Sequence, residues 1–192
     1  MYLTTFTRGH SSFAVNQCAW FMSHPGPTHI AAAKRIMRYL AGTRSLGITY
    51  LRNASDASLE SVGIGSTPNQ LSASADANHA GADDRRSVSG WASMLRRAMV
   101  TSASKRLPVT AISSTEIEFY SASQCALDCV DLQRVMDLMG YPQAGPTLIS
   151  QDNKACIFLV KGSGMYARAK LIDPRVHRVR EFAAGPEPQI KL

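Results

Sequence analysis

Nowhere in these 192 residues does an apolar run approach the roughly 20 residues that span a bilayer. The opening stretch, MYLTTFTRGH, also has no apolar core of the kind that directs secretion. Cysteine is sparse and unpatterned: Cys18, Cys125, Cys129 and Cys156 make no CxxC pair and no Cys/His zinc spacing. These thiols give no sign of a disulfide framework or a zinc ribbon, and they suit a reducing compartment. Acids are the minority charge, 14 against 21 Lys and Arg, leaving a formal net charge of +7. That surplus suits a polyanionic partner, nucleic acid before anionic membrane. There is no internal repeat and no long low-complexity tract.

What is present suffices for a buried core. Hydrophobic residues make up 45% and charged residues 18%, so composition does not indicate disorder. The length suits one domain with an appendage, or two small domains.

The first 23 residues show modest helical spacing at Phe13, Ala14, Gln17, Cys18 and Phe21. His24-Pro25-Gly26-Pro27 breaks the chain, and Thr28 is a candidate cap for the next helix. From His29 to Leu40 the spacing predicts an amphipathic helix. Ile30, Ala33, Ile36, Met37 and Leu40 form one face, and Lys34, Arg35 and Arg38 the other. Such a basic face is either a solvated surface or a set of phosphate contacts. Leu46–Leu51 reads as a short strand, and the polar stretch Arg52–Gln70 as the boundary between two units.

Leu71–Asp76 alternates apolar and polar residues and predicts a strand ending in a carboxylate. A charged loop at Ala82–Ser87 leads to strands at Val88–Leu95, with Gly90 as a candidate bulge, and Ala98–Ala103, joined by Arg96-Arg97. Ser113-Ser114-Thr115-Glu116 is a capping-box signature for a helix from about Thr115 to Met139. Its expected apolar stripe is Ala122, Cys125, Ala126, Cys129, Leu132, Val135, Met136 and Met139, and Gly140 stops it. Thr147–Ser150 predicts a fourth strand and residues 153–161 a short helix. A loop at Gly162–Gly164 follows, and Asp173-Pro174 opens a last helix. This order gives a mixed α/β sheet: a three-strand antiparallel meander plus a strand returning after a crossover helix, with helices on its faces.

Four acids stand at element ends in that order: Asp76, Glu118, Asp152 and Asp173. Any one alone is an ordinary cap or surface charge. Together they suit phosphoryl transfer at hard divalent cations, which take oxygen ligands and need carboxylates contributed by several different elements.

These stretches also carry a resemblance. SADANHAG, DDRRSVSGW, TSASKR, AISSTEIEFYSA, QDNKACI and KLIDPRVHRVRE resemble the ribonuclease H domain of copia-type LTR retrotransposon Pol polyproteins. TRGHSSFAVNQCAWFMSHP and AAAKRIMRYLAGT resemble the segment that joins the polymerase to that domain. The resemblance runs from about residue 2 to 191. It implies an RNase H-like mixed sheet with an N-terminal helical appendage. Residues 1–60 would be a reverse-transcriptase thumb/connection remnant, and residues 61–192 a C-terminally truncated RNase H-like domain. The implied reaction is hydrolysis of the RNA strand of an RNA–DNA hybrid with two Mg²⁺ or Mn²⁺ ions.

By motif, Asp76, Asp152 and Asp173 would be metal ligands. The glutamate is Glu116 or Glu118, which lie about 200° apart around a helix, so only one can face the site. Glu118 is preferred, because Glu116 serves the capping box and Phe119-Tyr120-Ser121 follows Glu118 as the family pattern requires. His177, one turn after Asp173, would assist proton transfer or product release. Lys34, Arg35, Arg38, Arg85, Arg86, Lys105 and Arg106 are candidate phosphate contacts. The implied partners are the hybrid and a polymerase domain, in a cytoplasmic virus-like particle or the nucleus, with no membrane. Departures are also present. Asn78 and His79 replace Asp and Trp, Leu171 replaces His, Gly9-His10 replaces Pro-Asp, and there is no YxDD polymerase motif. Both termini look like cuts through a longer polyprotein. The alternative reading is a retroelement fragment that binds nucleic acid without cleaving it.

Overall fold

The computed structural model describes residues 2–50, 69–78, 86–96, 98–107, 114–160, 175–184 and 186–192, with the backbone alone at 159 and 175–178. Five strands form one mixed sheet in the order β3-β2-β1-β4-β5. They are β1 (Leu71–Asn78), β2 (Val88–Leu95), β3 (Ala98–Arg106), β4 (Thr147–Ser150) and β5 (Ile190–Lys191). β1, β2 and β3 are the expected antiparallel meander, while β4 pairs parallel to β1 and β5 parallel to β4. This is the RNase H-like α/β arrangement. The helices are α1 (Tyr2–Phe6), α2 (Ser12–Ala19), α3 (Pro27–Gly42), α4 (Ser114–Leu138), α5 (Lys154–Val160) and α6 (Arg175–Ala184).

The core lies between the sheet and α4. Leu71, Ala73 and Ala75 are buried, as the alternation of β1 requires. Ala122, Cys125, Ala126 and Cys129 of α4 are wholly buried in the same cluster, with Phe119, Trp91 and Ile149 around them. Small side chains facing small side chains let the helix approach the sheet closely. Asp128 adds a polar tie on this face. Its Oδ2 accepts from Trp91 Nε1 at 3.2 Å and Thr101 Oγ1 at 2.6 Å, joining α4 to β2 and β3. The helix ends at Gly140, whose φ of +84° is a conformation that glycine adopts without strain.

The apolar stripe of α4 is shorter than its sequence suggests. Gln133 still reaches Thr147 Oγ1 and Gln189 O, but Val135 is 51% exposed and Met139 67%. The last turns of the helix therefore present apolar side chains to solvent. Gly90 is not a bulge. It sits in regular register opposite Asp76 and Ser104, and the irregularity falls between Ser93 and Met94, where Val100 is the extra residue. The extra residue lies next to the hairpin turn, where Arg96 takes a φ of +50°. The sheet also has the short β5 strand that periodicity does not reveal, since two residues carry no period.

The N-terminal helices lie along β3, the outer strand of the meander. Asn16 donates to Ser104 O at 2.7 Å, Tyr50 donates to Met99 O at 2.9 Å, and Arg106 stacks on the Trp20 ring at 4.2 Å. Side chains thus take up carbonyls of an edge that would otherwise invite another strand. Arg8, 8% exposed, donates to Thr43 O and to Arg44 O, holding the C-terminal end of α3, where cations are favoured.

Two local expectations fail here. Residues 46–50 form no strand, because the segment meets β3 through the Tyr50 side chain rather than a backbone ladder; Leu51 lies outside the described residues. Thr28 does not cap α3. Pro27, with φ preset for a helix, starts it after Gly26, whose N–H donates to His29 Nδ1 at 3.0 Å. The apolar face of α3 is only partly covered, with Ile36 and Leu40 half-buried and Met37 66% exposed. The expected boundary near residue 60 and the loops at 82–85 and 162–164 lie outside the described residues.

Ile149 on β4 is 1% exposed and its neighbour Leu148 42%. Ile149→Ala is expected to lower stability by about 2–5 kcal/mol in urea unfolding, and Leu148→Ala by less than about 1 kcal/mol.

Candidate metal centre

Strand register places the first two acids side by side. β1 and β4 run parallel with Ser74 opposite Ser150, so both strands advance toward the same end of the sheet. Asp76 is two residues beyond Ser74, and Asp152 two beyond Ser150. Paired strands lie about 4.8 Å apart, which puts these residues at neighbouring positions. Glu118 comes from α4, which packs across β1. Ser121, one turn further along, fixes that packing: its hydroxyl lies 2.8 Å from Asp76 O and 2.7 Å from Gly90 O, and donates its proton between them. The result is a cluster in which oxygens of Asp76, Glu118 and Asp152 all lie within 4.8 Å of one another. Glu116 is exposed and outside this cluster, as a residue about 200° around the helix must be.

The three acids differ in surroundings. Asp76 and Asp152 are exposed, whereas Glu118 keeps 9% of its surface. Burial pushes the Glu118 carboxyl above its ordinary range, and the charges of Asp76 and Asp152 push the same way. A hydrogen bond from Gln151 Nε2 to Glu118 Oε2, 3.3 Å, opposes that shift. Cys156 lies behind Glu118. Burial, helped by the Glu118 charge, raises its thiol pKa to about 12, so it remains a neutral packing group. An all-carboxylate donor set with this spacing fits a hard divalent cation such as Mg²⁺, whose opposite ligands stand roughly 4 Å apart at 2.0–2.1 Å bonds. It does not fit zinc or copper sites built from thiolate and imidazole.

Other residues named from the sequence fall in three groups. Asp173 and Arg85 lie outside the described residues, and His177 is in α6 with its side chain undescribed. Lys34, Arg35 and Arg38 are exposed on α3. Arg86, Lys105 and Arg106 cluster at the Asp76 end of the sheet, where Asn78 pairs with Val88 and Val88 with Arg106. Lys105 Nζ lies 5.1 Å from the Trp91 ring centre, and Arg106 is half-buried against Trp20. Two residues at the site have no role in the sequence reading, Ser121 and Gln151. Ser121 occupies the small-residue position after Glu118, and Gln151 adjoins Asp152, but neither side chain signals hydrogen bonds to residues far along the chain.

No family model matches the chain. It is 30% identical over 183 residues to the retrovirus-related Pol polyprotein from transposon TNT 1-94 of Nicotiana tabacum, covering 95% of this chain and 13% of that protein. Against the retrovirus-related Pol polyprotein from transposon RE1 of Arabidopsis thaliana it is 31% identical over 176 residues, 91% of this chain and 11% of that protein. A third relative, secreted RxLR effector protein 161 of Plasmopara viticola, is 37% identical over 131 residues, 68% of this chain and 83% of that protein. The chain thus spans about one-eighth of the length of the transposon polyproteins it matches. Similarity over 91–95% of its own length supports a retrotransposon Pol fragment, matching one stretch of the copia-type retrovirus-related Pol polyproteins.

Proposed function

We propose that this is the ribonuclease H portion of a retroelement Pol protein, and that it hydrolyses the RNA strand of an RNA–DNA hybrid. One observation carries this reading: oxygens of Asp76, Glu118 and Asp152, from three separate elements, lie within 4.8 Å of one another at the open end of the sheet. Two Mg²⁺ or Mn²⁺ ions, when bound, would polarise the scissile phosphate and lower the pKa of the attacking water. The three carboxylates supply oxygen ligands, and Asp173 completes the set by motif. His177 is the group suited to moving a proton at the leaving oxygen. Lys34, Arg35, Arg38, Arg85, Arg86, Lys105 and Arg106 are suited to the phosphate backbone, which sets orientation rather than sequence preference. Discrimination of the RNA strand would come from its 2′-hydroxyls across the minor groove. The polymerase domain of the same polyprotein is the protein partner, in a virus-like particle or the nucleus.

Asn78, exposed at the end of β1, and His79 after it are two positions where the sequence departs from the family pattern it resembles. They favour testing a second reading, a fragment that binds the hybrid without cutting it.

A labelled RNA–DNA hybrid incubated with the protein and Mg²⁺ or Mn²⁺ is expected to lose its RNA strand. Asp76→Asn should slow cleavage more than about 100-fold, the several kcal/mol that a lost metal ligand represents. Retention of hybrid on the native protein without cleavage would support the binding reading instead.

The raised Glu118 pKa gives a second test. In metal-free protein the folded state binds this proton more tightly than the unfolded chain, whose value is near 4.5. Stability therefore falls as pH rises from 4.5 through the raised folded value, and the penalty is complete above it. Glu118→Gln should raise the metal-free melting temperature at pH 7, by about 2–4 °C for each kcal/mol relieved. Millimolar Mg²⁺ should raise the melting temperature of the native protein and move the variant little. Bound ion contributes about 2.7 kcal/mol at a hundredfold excess over its dissociation constant.

A further inference from the structure

One side chain at the site is bonded to two of the three acid-bearing segments at once. Gln151 precedes Asp152 at the end of β4 and is half-buried. Its Nε2 donates to Glu118 Oε2 at 3.3 Å and, at 3.5 Å, to the Glu118 backbone carbonyl. Its Oε1 accepts from the backbone N–H of Asp152 at 2.8 Å and of Asn153 at 3.2 Å. The orientation of the amide follows from these partners. Turned over, it would set oxygen against a carboxylate and NH₂ against two N–H donors. Asn153 extends the chain of bonds, its Oδ1 accepting from Cys156 N at 3.0 Å at the start of α5.

We propose that Gln151 is a positioning residue, whose single amide holds the Glu118 carboxylate and the turn carrying Asp152 in fixed relation. The inference rests on the metal-centre reading of the three acids. Its physical basis is separate from that reading. Three carboxylates this close repel one another, and a glutamate has three side-chain torsions through which to swing away. Strand register brings the backbone at Asp76 near that at Asp152, and Ser121 fixes α4 against Asp76. Neither restraint reaches the Glu118 carboxylate itself, and Gln151 holds it from the Asp152 side. An amide can do both tasks because it carries a donor and an acceptor on one rigid plane. Met has the same length with neither strong donor nor strong acceptor, and Asn is one carbon too short to reach both partners.

The test is Mn²⁺ titration calorimetry on the full 192-residue chain, with Asp76→Asn as the ligand control and metal-free melting as the fold control. Gln151→Met and Gln151→Asn are expected to weaken Mn²⁺ binding about 10–100-fold, the usual loss when a ligand-orienting neighbour is removed. Their metal-free melting temperatures should stay within a few degrees of the native protein. In hybrid cleavage both variants should lower kcat with KM unchanged, since the phosphate contacts lie elsewhere. Native-like Mn²⁺ affinity, within about twofold, in either folded variant would overturn the inference while leaving the metal centre standing. Absence of Mn²⁺ binding to the native protein would overturn the metal centre, and the role of Gln151 with it.

Discussion

Carboxylates in close proximity repel, and the architecture around Asp76, Glu118 and Asp152 is what holds them against that repulsion. Two of the three are brought to neighbouring positions by the parallel register of β1 and β4. Parallel pairing is the feature that matters, since it brings two strand ends out at one place. An antiparallel partner at β4 would send Asp152 to the far end of the sheet. The third acid is fixed by packing: small residues on α4 meet Ala73 and Ala75, and Ser121 registers the helix on the strand. Burial of Glu118 then makes the cluster least favourable without cation. The fold thus creates an electrostatic deficit that a bound oxygen-seeking divalent ion would offset.

The helices before residue 50 depend on the same sheet in a different way. They cover β3 at its open edge through Asn16, Trp20 and Tyr50. Arg106, named from sequence for its charge, also serves that junction. Its guanidinium lies on Trp20, and its strand position leaves it at the end of the sheet that holds the acids. The appendage and the sheet are therefore in contact through several specific bonds, although the sequence divides between them at a polar stretch.

The meander, the long helix and the fourth strand were legible because each has a period: two along Leu71–Asp76, near 3.6 along Ala122–Cys129. Asp76, Glu118 and Asp152 stood out in the sequence because each lies near an expected element end and because their motifs resemble a family; Asp173 lies outside the described residues. What could not be read depends on long-range packing. Two residues at Ile190–Lys191 have no period, so β5 was invisible. Val135 and Met139 continue a helical stripe in sequence but lie where the helix has passed the sheet. Leu46–Leu51 has the composition of a strand, yet residues 46–50 make no ladder. Gln151 and Ser121 become informative only when partners 33 and 45 residues away are seen beside them.

The most direct test is crystallographic. Crystals grown with Mn²⁺ and measured at a wavelength where manganese scatters anomalously would locate the ions without reference to activity. Anomalous peaks in contact with Asp76, Glu118 and Asp152 are the expected result, two of them roughly 3.5–4 Å apart. Ordered carboxylates with no anomalous peak between them, at saturating Mn²⁺, would contradict the assignment of these acids as a metal centre.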